Sequence, residues 1–204
     1  MPWWKLHRLP ADSRSYTAFI GLVAIAASGL LTMAGAKIGF VGSKVIAEAV
    51  IVTCLLWIYP EQVSARSTLK LIAILTLTGV VIGAAWIACF APDRPKGGFI
   101  DWKAQPFILV AIGYVNAVLT APLFEEKVLR DLIFRNLSKY VSSILSSVSV
   151  SVLFGIAHSE NIFPAFLVSM ILCWMMLKYQ LNTYQRAVVH GSINLVIMTW
   201  YFVN

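Results

Sequence analysis

Residues 69–92 read LKLIAILTLTGVVIGAAWIACFAP, an apolar run whose only charged residue is Lys70. A continuous apolar run of about 20 residues or more can cross the ~30 Å hydrocarbon core of a bilayer as one α-helix. The whole chain has the same character, with 59% apolar residues, 12% charged residues and a mean hydropathy of +0.80. Because a soluble domain carries about twice that charged fraction, we predict an integral membrane protein.

Similar apolar runs recur along the 204 residues of the chain. Only helices and closed barrels satisfy their backbone polar groups in lipid, and none of the runs shows the period-2 alternation of a membrane strand. The sequence therefore predicts an all-α, polytopic membrane helix bundle of about seven transmembrane helices. The predicted helices cover about 17–36, 45–60, 69–92, 106–136, 143–158, 163–179 and 184–203.

The basic residues lie mainly at the ends of the apolar runs. The first run follows a short segment with Lys5, Arg8 and Arg14, and it is longer than the roughly 7–15 residues of a signal-peptide core. We therefore predict a retained helix, a cytoplasmic N-terminus and a multi-pass protein of the cell (inner) membrane. The net charge of +7 is explained by this topology, so membrane lipids are expected as partners and nucleic acid is not.

Within the fourth run, the short stretch 125–131 contains five charged residues, Glu125, Glu126, Lys127, Arg130 and Asp131. A charge in hydrocarbon costs about 2.5–3.5 kcal/mol unless it is paired or faces a wet cavity. Residues four apart share a helix face, which predicts the pairs Glu126–Arg130 and Lys127–Asp131. Glu125 has no basic partner at that spacing, which makes it a candidate general base. The alternative is an interfacial turn whose charged side chains reach the headgroups.

The later runs place further polar side chains at helical spacing. Phe154 and His158 share one face of the fifth run, and His190 and Asn194 share one face of the seventh. Taken singly, such residues are more typical of packing or interhelical hydrogen bonds. With a rise of 1.5 Å per residue, however, Glu125, His158 and His190 would all lie about 15–20 Å into the membrane. The three side chains can therefore meet at one level.

Other residues in the runs predict packing features. Pro122 lacks an N–H, which removes a backbone hydrogen bond to the Val118 carbonyl and predicts a bend one turn before the glutamates. Asn116 is of a type that makes contacts between membrane helices. Glu48 follows Lys44 by four residues, which predicts a local ion pair near the outer surface.

The second half of the chain carries three short motifs, each on a predicted helix. They are Glu125-Glu126-x-x-x-Arg130, Phe154-x-x-x-His158 and His190-x-x-x-Asn194. In this order they resemble the motifs of the CPBP family of glutamate-type intramembrane proteases, which includes the type II CAAX prenyl endopeptidases and the bacterial Abi proteins. The resemblance covers roughly residues 106–203. The chain departs from the family's usual apolar, aromatic and glycine residues inside the first motif, where it has Lys127, Leu129 and Asp131.

The resemblance implies a role for each matched residue. Glu125 and His158 would activate the attacking water, while His190 and Asn194 would donate hydrogen bonds to the developing oxyanion. The supporting residues would be Glu126 and Arg130, which hold the geometry by their ion pair, and Phe154, which shapes the wall of the site. The resemblance also implies a motif-free three-helix region, 1–105, and a catalytic four-helix region, 106–204, within one integrated membrane domain.

Three functions are compatible with these residues. The leading hypothesis is an intramembrane endopeptidase that cleaves a membrane-anchored protein or peptide, either at a CAAX-like tail or in C-terminal sorting or processing. A non-catalytic bacteriocin-immunity or scaffold protein and a proton-coupled small transporter are the alternatives. The favoured mechanism requires no cofactor, although Glu125, His158 and His190 could also hold a divalent metal such as zinc. The sequence does not specify an oligomeric state.

Overall fold

The computed structural model describes residues 16–61, 68–91, 105–159 and 161–204. These ranges form seven helices and contain no strand. The predicted all-α bundle is confirmed, and each helix ends within two residues of its expected bounds. The helices are α1 (Thr17–Lys37), α2 (Ser43–Ile58), α3 (Leu69–Phe90), α4 (Phe107–Leu137), α5 (Ser143–Ala157), α6 (Ile162–Tyr179) and α7 (Thr183–Val203).

The outer surface of the bundle is apolar, as a lipid environment requires. Large side chains such as Leu30, Trp57 and Leu77 are more than half exposed. Four helices, α1, α3, α4 and α6, are long and apolar enough to cross a membrane, whereas α5 is apolar but shorter. The chain is therefore a multi-pass membrane protein. The basic residues that predict its orientation, in 1–15, lie outside the described residues.

Helix α4 is the longest helix and changes its winding twice. The stretches Asn116–Thr120 and Glu126–Phe134 adopt π-helical geometry, in which each carbonyl is paired with the N–H five residues later. The helix continues through Pro122 and is locally wider on both sides of it. Residue 122 would be the donor to the Ala117 carbonyl in this pattern, and proline has no N–H to donate. The Ala117 carbonyl is consequently free to accept a bond from elsewhere.

Helix α7 packs along α3 and also contacts α4 and α6. Its closest approach to α3 is at Gly79, where an added Cβ would lie 2.4 Å from the Val189 carbonyl oxygen. Small residues at such points allow helix backbones to approach in membranes. Leu75, Val189 and Ile193 complete this apolar contact. A second apolar core joins α4 to α1, α2, α5 and α6, so the motif-bearing helices are held from both sides.

We expect Gly79→Ala to destabilise the protein by about 1–3 kcal/mol, because the added methyl group has no space against α7. Gly29→Ala is the matched control, since nothing lies within 4 Å of an added Cβ on that exposed face of α1. The control should be neutral or slightly stabilising. Thermal unfolding of the purified protein in detergent, followed by tryptophan fluorescence, measures both. Equal shifts for the two variants would contradict the close packing of α3 on α7.

Candidate active site

A cavity of about 460 Å³ opens between the helices that carry the motifs. One part of its wall is polar, and another part is formed by aromatic side chains from α3 and α7, Trp86 and Tyr201. A space of this size lies within the range of small-molecule and peptide-segment sites. The polar residues that line it are Asn116, His158, Asn161, His190 and Asn194.

Glu126 is the best-connected buried acid near this cavity. Its side chain is fully buried, and it forms an ion pair with Arg130 in which Oε1 lies 3.2 Å from Nη1. The same Oε1 lies 3.1 Å from His190 Nδ1, while Arg186 Nε donates to Oε2 at 3.1 Å. The predicted Glu126–Arg130 pair is confirmed. Glu126 additionally connects α4 to α7, which the spacing on one helix could not show.

Arg186 is the main site residue that sequence reasoning missed. Its position near the start of the last apolar run is typical of a basic residue at a membrane boundary, yet its side chain is completely buried. Besides Glu126, it donates to the Leu181 carbonyl and to Thr183 Oγ1, and it lies 3.7 Å from Glu61. The available signal was its spacing, since Arg186 precedes His190 by four residues and therefore shares its helix face.

Glu125 has a different environment from its neighbour. Its side chain is 20% exposed, and its carboxylate lies 3.6 Å from His190 Nε2. Within the described part of the chain this is its only ion pair, and no hydrogen bond to it is present. His190 thus faces Glu126 with one ring nitrogen and Glu125 with the other. Glu125 itself does not line the cavity, whereas His190 does.

The second predicted histidine reaches the site from α5. His158 follows the last residue of that helix, and its Nδ1 lies 2.8 Å from the Phe154 carbonyl oxygen. Because a carbonyl oxygen can only accept, Nδ1 is the donor in this contact, and Nε2 is left for the cavity. The Phe154 ring lies 4.3 Å from the His158 ring and 5.6 Å from the His190 ring, between centroids. Both imidazoles therefore contact one aromatic side chain.

The structure groups the predicted residues more closely around His190 than around His158. No hydrogen bond or ion pair joins Glu125 to His158 among the described residues. The two side chains are connected through contacts, from Glu125 to His190, to Phe154 and then to His158. Arg130 belongs to the same cluster, because its guanidinium carbon lies 4.9 Å from the centre of the Phe154 ring.

Asn194 attaches α7 to α4 at the irregular part of α4. Its Nδ2 donates to the Ala117 carbonyl at 2.8 Å, the carbonyl that Pro122 leaves without a backbone donor. Gly191 makes this approach possible, since an added Cβ there would lie 2.2 Å from the Val118 carbonyl oxygen. One N–H of the Asn194 amide is therefore used in helix docking. The second N–H and Oδ1 remain for the cavity.

The metal alternative can be compared with the donor groups that are present. The described residues contain no group of three or more His, Cys, Asp and Glu side chains arranged to hold a metal ion. Both ring nitrogens of His190 already face carboxylates, and His158 approaches from a separate helix end. The arrangement of these donor groups does not fit Glu125, His158 and His190 as the ligands of one zinc ion.

These features define a multi-pass helical membrane protein with a buried cluster of glutamate, histidine and arginine beside a cavity. Residues 106–196 match a family model described as Rce1-like: Type II CAAX prenyl endopeptidase Rce1-like. This match confirms the resemblance that the three motifs indicated over the same region. A search of curated proteins returned no match, and a search of solved structures also returned none.

Replacing Arg130 tests the buried cluster. We expect Arg130→Met to destabilise the protein by about 3–5 kcal/mol, because it removes one partner of a fully buried charge. Lys139→Met, at an exposed lysine just after α4, is the matched control and should change stability by less than about 0.5 kcal/mol. Denaturation in mixed micelles measures both. Similar midpoints for the two variants would show that the Glu126 cluster is not needed for stability.

Proposed function

We propose that this protein is an intramembrane endopeptidase that hydrolyses a peptide bond in a membrane-anchored protein or peptide. One observation carries the proposal. Two adjacent glutamates have different environments. Glu126 is fully buried among Arg130, Arg186 and His190, while Glu125 is partly exposed and forms an ion pair only with His190 among the described residues. A general base has to be within reach of the water that it deprotonates, and the partly exposed carboxylate of Glu125 meets this condition better than that of Glu126. The family match over 106–196 supports the same chemistry.

The proposed reaction begins with a water held between Glu125 and His158. Glu125 accepts a proton from this water as its oxygen attacks the carbonyl carbon of the substrate. The resulting tetrahedral intermediate carries the former carbonyl oxygen as an oxyanion. The carbon–nitrogen bond then breaks, and Glu125 returns the proton to the leaving amine. One water is consumed, and the products are a carboxylic acid and an amine, which ionise to a carboxylate and an ammonium group by transfer of the acid's proton.

The donors proposed for the oxyanion are His190 and Asn194. Asn194 has one amide N–H that is not used on the Ala117 carbonyl, and His190 Nε2 is a donor when it carries a proton. Donors aimed at the developing charge contribute about 3–4 kcal/mol each in other enzymes. His190 has a second role in this proposal, because its approach to Glu125 fixes the position of that carboxylate.

The proposed substrate is an extended C-terminal or juxtamembrane segment that enters the cavity from the lipid or the cytosol. The cavity is suited to such a segment because a mainly apolar wall with Trp86 and Tyr201 adjoins the polar residues. Both a prenylated CAAX-like tail and an unmodified membrane anchor present this chemistry. Comparing the two kinds of peptide as substrates decides between CAAX-like cleavage and C-terminal sorting or processing.

The proposal also assigns parts to the two halves of the chain. All proposed catalytic residues come from 106–204, and the first three helices, in 1–105, would support them within one integrated domain. Their contacts favour this division, since α1 packs on the second half of α4 and α3 packs on α7. We further propose a cytoplasmic N-terminus in the cell (inner) membrane, as the basic residues of the sequence predict.

Mass spectrometry of membrane-anchored peptides tests the proposed mechanism. We expect the wild type to release a product, and we expect Glu125→Gln and His158→Ala each to slow its formation by at least about 100-fold, as for a lost general base. Asp101→Asn, an acid that belongs to no motif, is the control and should keep the wild-type rate. Thermal unfolding of every variant excludes misfolding as the cause.

Two other results would contradict the mechanism. If Glu125→Gln retained cleavage, the water would be activated by another group. If the wild type gave no product but carried a solute into proteoliposomes in response to a proton gradient, the transporter alternative would replace the protease.

Chelation tests the proposed independence from metal. We expect cleavage to continue at an unchanged rate in EDTA and in 1,10-phenanthroline, because the site offers no set of three metal ligands among its described residues. A zinc-dependent membrane protease treated in parallel confirms that the chelators act in the same detergent. A loss of activity that added zinc restores would assign the mechanism to a metal.

A further inference from the structure

Asn116 is a polar wall residue that belongs to none of the three motifs. It lies in the first π-helical stretch of α4 and lines the same cavity as His190 and Asn194. Its Nδ2 donates to Glu48 Oε2 at 2.7 Å and to Thr120 Oγ1 at 2.9 Å. The sequence indicates only helix packing for this residue, and packing does not account for its place on the cavity wall.

Glu48 fixes the orientation of the Asn116 amide. Its side chain is 5% exposed, and Lys44, at 3.7 Å and half exposed, is its only ion-pair partner among the described residues. Glu48 Oε2 accepts from the NH₂ group of Asn116, and Thr120 Oγ1 accepts from the same group. Both N–H groups are then used, and Oδ1 is left as an acceptor. No donor to Oδ1 is present in the described residues.

The hydrogen bond to Glu48 also affects the strength of this acceptor. Hydrogen bonds in a low-dielectric interior polarise one another, so an amide that donates to a carboxylate becomes a better acceptor at its oxygen. The cavity wall therefore presents an oriented acceptor with enhanced negative character. It suits a ligand that supplies a hydrogen-bond donor.

A peptide entering a membrane protease brings such donors. A helical membrane segment has to unwind before water can reach a peptide bond, and each N–H released in this way costs several kcal/mol if it stays unpaired in an apolar environment. We infer that Asn116, oriented by Glu48 and Thr120, accepts a hydrogen bond from a main-chain N–H of the substrate. This inference rests on the proposed endopeptidase function and names the part of the substrate that the site recognises.

The geometry limits which N–H is recognised. Asn116 precedes Glu125 by nine residues on α4, a separation of at most about 13 Å along the helix. An extended peptide advances about 3.3 Å per residue. The recognised N–H therefore lies within about four residues of the bond that is cleaved. Asn116 is a substrate-binding residue in this scheme and takes no part in proton transfer.

A scan of the substrate with ester bonds tests the inference. Each peptide bond near the cleaved bond, except the cleaved bond itself, is replaced in turn by an ester, which removes one N–H. With the wild type, we expect one position within about four residues to lose about 5–20-fold in kcat/KM, as for a single lost hydrogen bond. Asn116→Leu should slow the all-amide substrate by a similar factor and should be insensitive to that ester.

Two further variants test the cause of the effect. Glu48→Gln replaces the carboxylate that accepts from Asn116 by an amide, which can also turn its NH₂ group towards Asn116. This variant should reduce the ester penalty, which is the loss in kcat/KM caused by the ester substitution. Met198→Leu changes an apolar residue of the same cavity wall, so it should act equally on the ester and amide substrates. Peptide affinity in the Glu125→Gln background gives a second readout without turnover, and the same ester position should weaken binding there.

The outcomes separate this inference from the function on which it rests. Suppose that Glu125→Gln abolishes cleavage but Asn116→Leu loses as much kcat/KM on the ester substrate as the wild type does. The proposed endopeptidase function is then supported, and the proposed recognition of a substrate N–H by Asn116 is wrong. If Asn116→Leu is too unstable to assay, Asn116→Ala replaces it, because alanine also lacks a side-chain acceptor. An Asn116→Ala variant that loses as much kcat/KM on the ester substrate as the wild type does overturns the inference equally. If the wild type cleaves no peptide, both proposals fall.

Discussion

The buried carboxylate of Glu126 is the interaction on which the arrangement of the other site residues depends. It is fully buried and pairs with Arg130 on its own helix and with Arg186 and His190 on α7. An unpaired charge in such a place would cost several kcal/mol, so the partners must stay close for the bundle to remain folded. Arg130 continues the chain of contacts to α6 by donating to Ser169 Oγ at 2.7 Å. Glu126 thus fixes α4 against α7, and its partner Arg130 fixes α4 against α6.

The same cluster makes a division of roles possible for two adjacent glutamates. Neighbouring residues on a helix point about 100° apart, so the partners that surround Glu126 leave Glu125 with a partly open edge. His190 is the shared element, since it lies 3.1 Å from one carboxylate and 3.6 Å from the other. In the proposed mechanism, the structural acid therefore holds the imidazole that positions the catalytic acid.

Features set by local spacing could be predicted from the sequence, and features set by the meeting of distant segments could not. Long apolar runs predict all seven helices, and the spacing of four residues predicts the Glu126–Arg130 pair. The pairs between helices depend on tertiary packing that no single run encodes. Arg186 is the clearest example, because a basic residue near the end of an apolar run is more often a topology signal than the partner of a buried acid.

The contact between Asn116 and Glu48 has the same origin. The ion pair of Glu48 with Lys44 follows from their spacing and is confirmed at 3.7 Å. The closer partner of Glu48 is Asn116 on α4, which lies 68 residues away in the sequence and donates to Glu48 at 2.7 Å. Neither residue has a pattern that indicates the other. His158 and His190 line one cavity, and Glu125 contacts His190, whereas the common depth of the three residues in the membrane stays a prediction.

Pro122 connects the fold to the cavity through the backbone of α4. Because residue 122 has no N–H, the Ala117 carbonyl has no donor in the i→i+5 pattern, and Asn194 supplies one from α7. The same π-helical stretch begins at Asn116 and carries its side chain on the cavity wall. In a bilayer, an unpaired carbonyl is tolerated only where protein or water satisfies it. The π-helical stretch of α4 therefore has two effects. It leaves a carbonyl to which Asn194 of α7 binds, and it carries the Asn116 amide on the cavity wall.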